Sequence, residues 1–259
     1  MVPAPQVSAA TIVAFRRDGF AVVEGVTTRE DLDRISRIMA RLYRRYPGLA
    51  RARHAVDLGL GAAGAAAPEI LEINHTAALE PELATTLTFQ RCRALAEALL
   101  EAPVEHRFDH AIYKPAFNGR ATAWHQDEAY TLDSALVTAH FWVPMRDVTV
   151  EMGCMQFIPG SHREPVRPHH RLDRLRHAHA LEADDVDTTR AVACPLRAGD
   201  VTVHFARTLH YTGPNLTPIP RLAWSLVFGR RRGLPRRLAT KGRRLWRTLA
   251  PPDAEDHRA

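Results

Sequence analysis

The 259-residue chain carries three groups of side chains whose types and spacing could do chemistry. The first is Trp124-His125-Gln126-Asp127. On a strand, positions i and i+2 face one side, so His125 and Asp127 would converge while Gln126 points away. An imidazole and a carboxylate turned into an apolar interior are costly unless a metal or a hydrogen-bonding partner satisfies them. Taken alone, this motif fits a satisfied core pair better than a metal. The second group is His210-Tyr-Thr-Gly-Pro-Asn215, far downstream. Two histidines and one carboxylate make the facial set that suits iron(II) and leaves three coordination positions open, whereas zinc generally fills four. The third is Arg221, eleven residues after His210, between Pro220 and an apolar run over 222–228. A guanidinium placed there can clamp one end of a dicarboxylate bidentately.

Such groups need a scaffold, and the sequence predicts a mainly β one. Short β-prone runs cover 105–113, 135–143, 154–158, 191–196, 201–205 and 222–228, separated by turns such as Asn118-Gly119, Pro159-Gly160 and Gly213-Pro214. This is the pattern of a sandwich or barrel. Upstream, a strand-like piece over 20–24 comes after a turn at Asp18-Gly19. Thr28 can cap the next helix, with Asp31 at the capping-box position. Leu32, Ile35, Ile38, Met39, Leu42 and Tyr43 recur at helical spacing until Pro47-Gly48. A second helix is expected over 81–100, ended by Pro103, and the Gly/Ala-rich stretch 59–67 reads as a flexible connection. The polar stretch 162–189, with His169, His170, His177 and His179, reads as a lid loop that should line the pocket together with 108–113. The whole chain, 1–259, is expected to be a single domain with helices flanking a β-barrel-type core.

Composition narrows the class. With 46% hydrophobic and 25% charged residues, the chain is not disordered. No apolar run approaches the roughly 18 residues of a membrane span. The first twenty residues lack the basic-then-apolar order of a signal peptide. Three cysteines, an odd number without close spacing, suggest neither a disulfide framework nor a metal site. A cytoplasmic protein without a membrane partner is expected. The net charge of +6 is local: residues 230–247 hold eight arginines and one lysine with no acid, so the remainder of the chain is net negative. This basic extension, 230–259, could touch nucleic acid. A base-binding role is disfavoured because Trp246 is the only aromatic residue among the arginines.

The order His125-x-Asp127, His210, Arg221 resembles the phytanoyl-CoA dioxygenase family of iron(II)/2-oxoglutarate-dependent oxygenases. The surrounding blocks are similar too: Phe15-Arg-Arg-Asp-Gly-Phe20, Glu151-Met-Gly-Cys-Met-Gln-Phe-Ile-Pro-Gly-Ser-His162, Ala198-Gly-Asp200 and His210-Tyr-Thr-Gly-Pro-Asn215. The resemblance implies an α+β fold with a mainly β core, a double-stranded β-helix (a jelly-roll, cupin-like barrel) flanked by N-terminal helices. It implies that His125, Asp127 and His210 ligate iron(II) and that Arg221 holds the distal carboxylate of 2-oxoglutarate. Thr212 would add a hydroxyl bond to the co-substrate, and Trp142 an aromatic surface against it. The implied reaction consumes O2, decarboxylates 2-oxoglutarate to succinate and CO2, and hydroxylates an unactivated C–H of a small molecule. An amino acid, a natural-product intermediate or an acyl derivative would suit. Asp127 favours hydroxylation, since halogenating relatives have a small residue there. Two alternatives stand beside this reading: a catalytically silent barrel that binds a ligand or partner, and an oxygenase acting on nucleic acid.

Overall fold

The computed structural model describes residues 7–58, 70–131, 136–172 and 181–231. The Gly/Ala-rich connection, most of the basic extension, and His177 and His179 of the expected lid lie outside them.

The chain opens with helix α1 (Ala9–Asp18), which the sequence reading does not anticipate. Ser8 caps it by accepting the Thr11 N–H, and Gly19 ends it at φ 88°. The block 15–20 therefore joins a helix end to strand β1 (Phe20–Val23). Gly19 is required there for a second reason: a Cβ would run into the His162 ring. Helix α2 (Arg29–Arg44) is capped by Thr28 as expected. Asp31, however, serves another helix. Its Oδ1 accepts from Leu87 N–H at 3.1 Å and its Oδ2 from Thr88 N–H at 2.8 Å, so it caps the first turn of α5 (Leu87–Leu100). Pro47-Gly48 does not end the helical region. After α2 ends at Arg44, a short α3 (Tyr46–Arg51) contains both residues, with the proline in the first turn, where its missing N–H costs nothing. The helix expected over 81–100 is likewise split, into a 3-10 turn (Pro81–Thr85) and α5, because Thr86 is extended and caps α5 by accepting the Phe89 N–H.

Strands β2 (Ala55–Asp57) and β3 (Leu71–Asn74), helix α4 (Thr76–Leu79), strands β4 (Glu105–Lys114) and β5 (Thr122–His125), and helix α6 (Glu128–Thr131) come next. The remaining strands are β6 (Leu136–Pro144), β7 (Met155–Phe157), β8 (His169–Arg171), β9 (Leu181–Ala183), β10 (Val192–Cys194), β11 (Val201–Phe205), β12 (His210–Thr212) and β13 (Arg221–Arg231). They pair antiparallel in a seven-stranded sheet, β1-β11-β6-β13-β4-β3-β2, and a four-stranded sheet, β10-β7-β12-β5. The hairpin β8–β9 stands apart, inside the stretch expected to be a lid loop. Strand β13 runs through Arg231, so the first two residues of the supposed extension belong to the large sheet, paired with Val137 and Leu136.

Strand alternation divides the interior in two. One face of the large sheet gives Phe141, Val143, Trp224, Leu226 and Phe228 to a core shared with Ile35, Met39, Leu42, Leu95 and Leu99 of α2 and α5. The other face gives Phe20, Trp142 and Ala223 to a smaller cluster with Met155, Phe157 and Cys194 of the small sheet. The helices thus seal one side of the large sheet. The space between the sheets is where the polar residues gather.

Candidate active site

His125 ends β5 and His210 begins β12, and the two are cross-strand partners whose ring centroids lie 4.1 Å apart. Each imidazole is tethered through Nδ1 to a backbone carbonyl two residues back, Ala123 O at 2.8 Å and Thr208 O at 2.9 Å. That tether orients both rings and leaves both Nε2 atoms for a metal. Asp127 joins them, with Oδ1 at 3.5 Å from His125 Nε2 and Oδ2 at 3.6 Å from His210 Nε2. One ligand atom from each of the three lies within 4.8 Å of the others.

The convergence is as expected, but its cause differs. Asp127 lies beyond the end of β5, one residue before α6, so strand alternation does not bring it round. Gln126 does. It is buried and held on both ends of its amide, donating to Arg207 O at 2.7 Å and accepting from Arg167 N–H at 2.8 Å. With Gln126 locked outward, the chain turns Asp127 inward. Burial raises the Asp127 pKa, but the His210 and His140 imidazoles and the hydrogen bonds from His125 and His140 outweigh it and hold the carboxyl well below the usual range. Burial, reinforced by His125, keeps His210 well below its ordinary value. An ionised carboxylate beside two imidazoles that turn their Nε2 atoms toward it is the donor set that a divalent cation needs.

Arg221, at the start of β13, is 1% exposed, and its Nε, Nη1 and Nη2 are all buried without a hydrogen-bond partner. Burial pushes its pKa down to about 10. Its guanidinium lies 5.3 Å from the Trp142 ring centroid, in cation–π range. Directly opposite on β4 is Lys114, fully buried, its Nζ donating to Thr212 Oγ1 at 3.0 Å and Gly213 O at 2.9 Å. Burial, and then Arg221, push the lysine well below its usual pKa. Thr212 and Trp142 therefore meet Arg221 and Lys114 in one place. Two buried cations side by side are unstable without an anion. An unpartnered guanidinium fork matches a carboxylate, so these residues fit 2-oxoglutarate as the first set fits iron.

Sequence reasoning misses Lys114, His140 and His204. Lys114 left a signal: the chain uses 33 arginines and only two lysines, so a lysine directly after a β-prone run marks a place where a compact charge is required. His140 and His204 left none, since each is a single histidine in an apolar run. In the stretch 108–113, expected to line the pocket, alternate positions turn instead toward the helix-covered core. Asp109 and Ala111 are fully buried, and Asp109 accepts from Trp224 Nε1 at 3.1 Å and Ala77 N–H at 3.0 Å. His110 faces the other way and pairs with buried Glu72 at 3.4 Å.

The model of the family described as phytanoyl-CoA dioxygenase (PhyH) matches residues 15–223. The chain belongs to the phytanoyl-CoA dioxygenase family. Enzymes of this family are iron(II)- and 2-oxoglutarate-dependent dioxygenases, with dioxygen as the other co-substrate. The chain's mixed α/β architecture with large antiparallel sheets is consistent with the cupin-like fold of the family. Among solved structures, EvdO2 from Micromonospora carbonacea var. aurantiaca, complexed with 2-oxoglutarate, is 35% identical, with a TM-score of 0.74 over 91% of this chain and 97% of EvdO2. The epimerase SnoN, complexed with Fe3+, alpha ketoglutarate and nogalamycin RO, is 28% identical, with a TM-score of 0.63 over 86% of this chain and 85% of SnoN. Among curated proteins, the phytanoyl-CoA dioxygenase domain-containing protein 1 homolog of Dictyostelium discoideum is 28% identical over 122 residues. That match covers 45% of this chain and 43% of the relative, so the chain spans less than half the length of this relative. Among the described residues no helix is long and apolar enough to cross a membrane.

Proposed function

We propose that the oxygenase hydroxylates an unactivated C–H bond of a small molecule, with His125, Asp127 and His210 as iron(II) ligands and Arg221 as the clamp for 2-oxoglutarate. The observation that carries this reading is the convergence of two imidazole Nε2 atoms and one carboxylate, each with its other polar contacts already supplied by the protein. Bound iron(II) and 2-oxoglutarate would, with dioxygen, supply an oxidant for C–H bonds, one oxygen atom going to the succinate released with CO2 and the other to the substrate. The chain's own groups bind and orient. Arg221 neutralises the distal carboxylate, Lys114 lends a second positive charge and orients the Thr212 hydroxyl, and Trp142 backs the guanidinium and keeps water from it. Asp127 occupies the position that a halogenating site leaves open.

The substrate class is drawn from one of these similarities: SnoN, complexed with nogalamycin RO, makes a natural-product intermediate the first class to screen. SnoN is an epimerase, which favours a second outcome at the same site, hydrogen abstraction without net hydroxylation. In this reading the two sheets are the halves of a double-stranded β-helix, α1, α2 and α5 flank it, and residues 1–259 form one cytoplasmic domain.

Anaerobic titration of the metal-free protein tests the reading. Iron(II) followed by 2-oxoglutarate should produce a visible charge-transfer band that requires both, and Asp127→Ala should abolish it together with succinate release. A folded wild-type protein that gives no band leaves the silent barrel as the better account.

A further inference from the structure

The Asp127 carboxylate has imidazoles on its far side as well. His140 on β6 and His204 on β11 are register partners, and both turn into the space between the sheets. His140 Nδ1 lies 2.8 Å from Asp127 Oδ2, whereas His204 Nε2 is 3.4 Å from the same oxygen. The other nitrogen of His140, Nε2, is 2.8 Å from Thr138 Oγ1. Thr138 and His140 are two residues apart on one strand, so they share its inner face and form a short chain that ends on Asp127.

The proton positions in this chain are set by the acceptor inventory. An ionised carboxylate only accepts, so His140 Nδ1 carries a proton; Nε2 is then an acceptor in the neutral ring and a second donor in the imidazolium. The Thr138 hydroxyl, which can do either, pairs with it in both forms. The ring is thereby held in one orientation from both ends. Asp127 needs such a hold more than its neighbours do. His125 and His210 sit on paired strands with their rings tied to carbonyls, while Asp127 lies off the end of β5 and its side chain is the most exposed of the three, at 23%. Engaging Oδ2 leaves Oδ1, the oxygen nearer His125, to the metal.

We infer that His140, held by the Thr138 hydroxyl, is a positioning residue that fixes the Asp127 carboxylate for ligation of iron(II) through one oxygen. The inference rests on the proposal that Asp127 is an iron ligand. Partners of this kind, which hold a ligand rather than the metal, are each worth on the order of 10–100-fold in metal affinity or activity. The rival use of the same atoms is a second cation held by Asp127, His140 and His204, whose ligand atoms also lie within 4.8 Å of one another. His140 speaks against it, because both of its ring nitrogens already have partners.

The test is anaerobic iron(II) binding to the full chain, followed by the 2-oxoglutarate charge-transfer band, in wild type, His140→Leu, His140→Asn and Thr138→Val. Wild type should bind one iron per chain. His140→Leu should bind it roughly 10–100-fold more weakly. Its band should move to longer wavelength, because a carboxylate that has lost its donor pushes more electron density onto the metal. Asparagine places an amide N–H where Nδ1 stood, so His140→Asn should restore both affinity and band position. Thr138→Val should shift both in the same direction as leucine, by less, and it keeps the test alive if the leucine variant does not fold. Affinity and band unchanged in His140→Leu, or in Thr138→Val, overturn the inference. So does equal impairment by leucine and asparagine, which would make the ring a packing element. Two irons per wild-type chain, one of them lost in His140→Leu, would establish the second cation site instead. No band in folded wild type overturns the iron-site proposal itself and this inference with it.

Discussion

At the scale of single residues, the chemistry separates into a cation site and an anion site that share few atoms. The imidazoles of His125 and His210 touch neither Arg221 nor Lys114 through any hydrogen bond among the described residues. Their losses should therefore separate in measurement. Arg221→Ala removes a fork of charge-assisted donors worth about 1.5–3 kcal/mol each to a charged partner. It should raise the 2-oxoglutarate requirement at least 10-fold while iron(II) affinity stays within about 2-fold of wild type. Saturation curves of succinate release against 2-oxoglutarate, paired with iron binding, check this. Iron lost along with the co-substrate would make Arg221 a structural cation. The proposed division is legible in the sequence at His125, Asp127, His210 and Arg221, because their side-chain types allow facial ligation and carboxylate clamping and the family resemblance implies both roles. Lys114 stands across from Arg221 by strand register and His140 meets Asp127 only through the fold, and a linear sequence displays neither contact.

At the scale of elements, the connection between β5 and α6 carries the most consequence, since Asp127 depends on it. The segment 162–189 braces that connection from outside. His169 Nε2 accepts the Gln126 N–H at 3.1 Å, while its Nδ1 meets Arg167 O at 2.7 Å. An imidazole that accepts at one nitrogen and donates at the other must be neutral. Burial lowers its pKa below the ordinary 6.5, against the opposing effect of the Arg167 carbonyl. The released hairpin would take up a proton below about pH 6.5 and the docked one would not, so docking is favoured above that pH and weakens as the pH falls. Amide protection at Gln126 and over Leu181–Ala183, with intrinsic exchange rates divided out, should fall as the pH drops from 7.5 to 5.5. His169→Gln keeps an acceptor that does not titrate, and should flatten the profile. An equally steep profile in the variant would remove His169 from the account. This brace is not legible in the sequence. A histidine-rich polar stretch reads as solvated loop, its strands β8 and β9 are three residues each, and α1 escapes notice because its apolar face buries only Phe15. Where an amphipathic pattern is long, as in α2, the sequence places the helix correctly; α3 is missed because a proline in a first turn and a proline past a last turn look alike.

At the scale of the molecule, the two sheets contribute different halves of the chemistry. His125 and His210 come from the small sheet, Arg221, Lys114 and Trp142 from the large one, and Asp127 from the connection that leaves the small sheet. In the proposed complex, iron(II) alone would bind only the small sheet and the connection. The co-substrate would span from the metal to Arg221 and tie one sheet to the other. A ligand that binds only the folded state stabilises it by about 2.7 kcal/mol at a hundred times its dissociation constant. For a protein of this size that raises the melting temperature by roughly 5–10 °C. Anaerobic melts should therefore show one rise on adding iron(II) and a second on adding 2-oxoglutarate. Without the metal, the second should be small, because the keto-acid end would have nothing to bind. Arg221→Ala should keep the first rise and lose most of the second. A second rise that survives Arg221→Ala would mean that the co-substrate is not held across the sheets, and the buried, unpartnered guanidinium would need another anion to account for it.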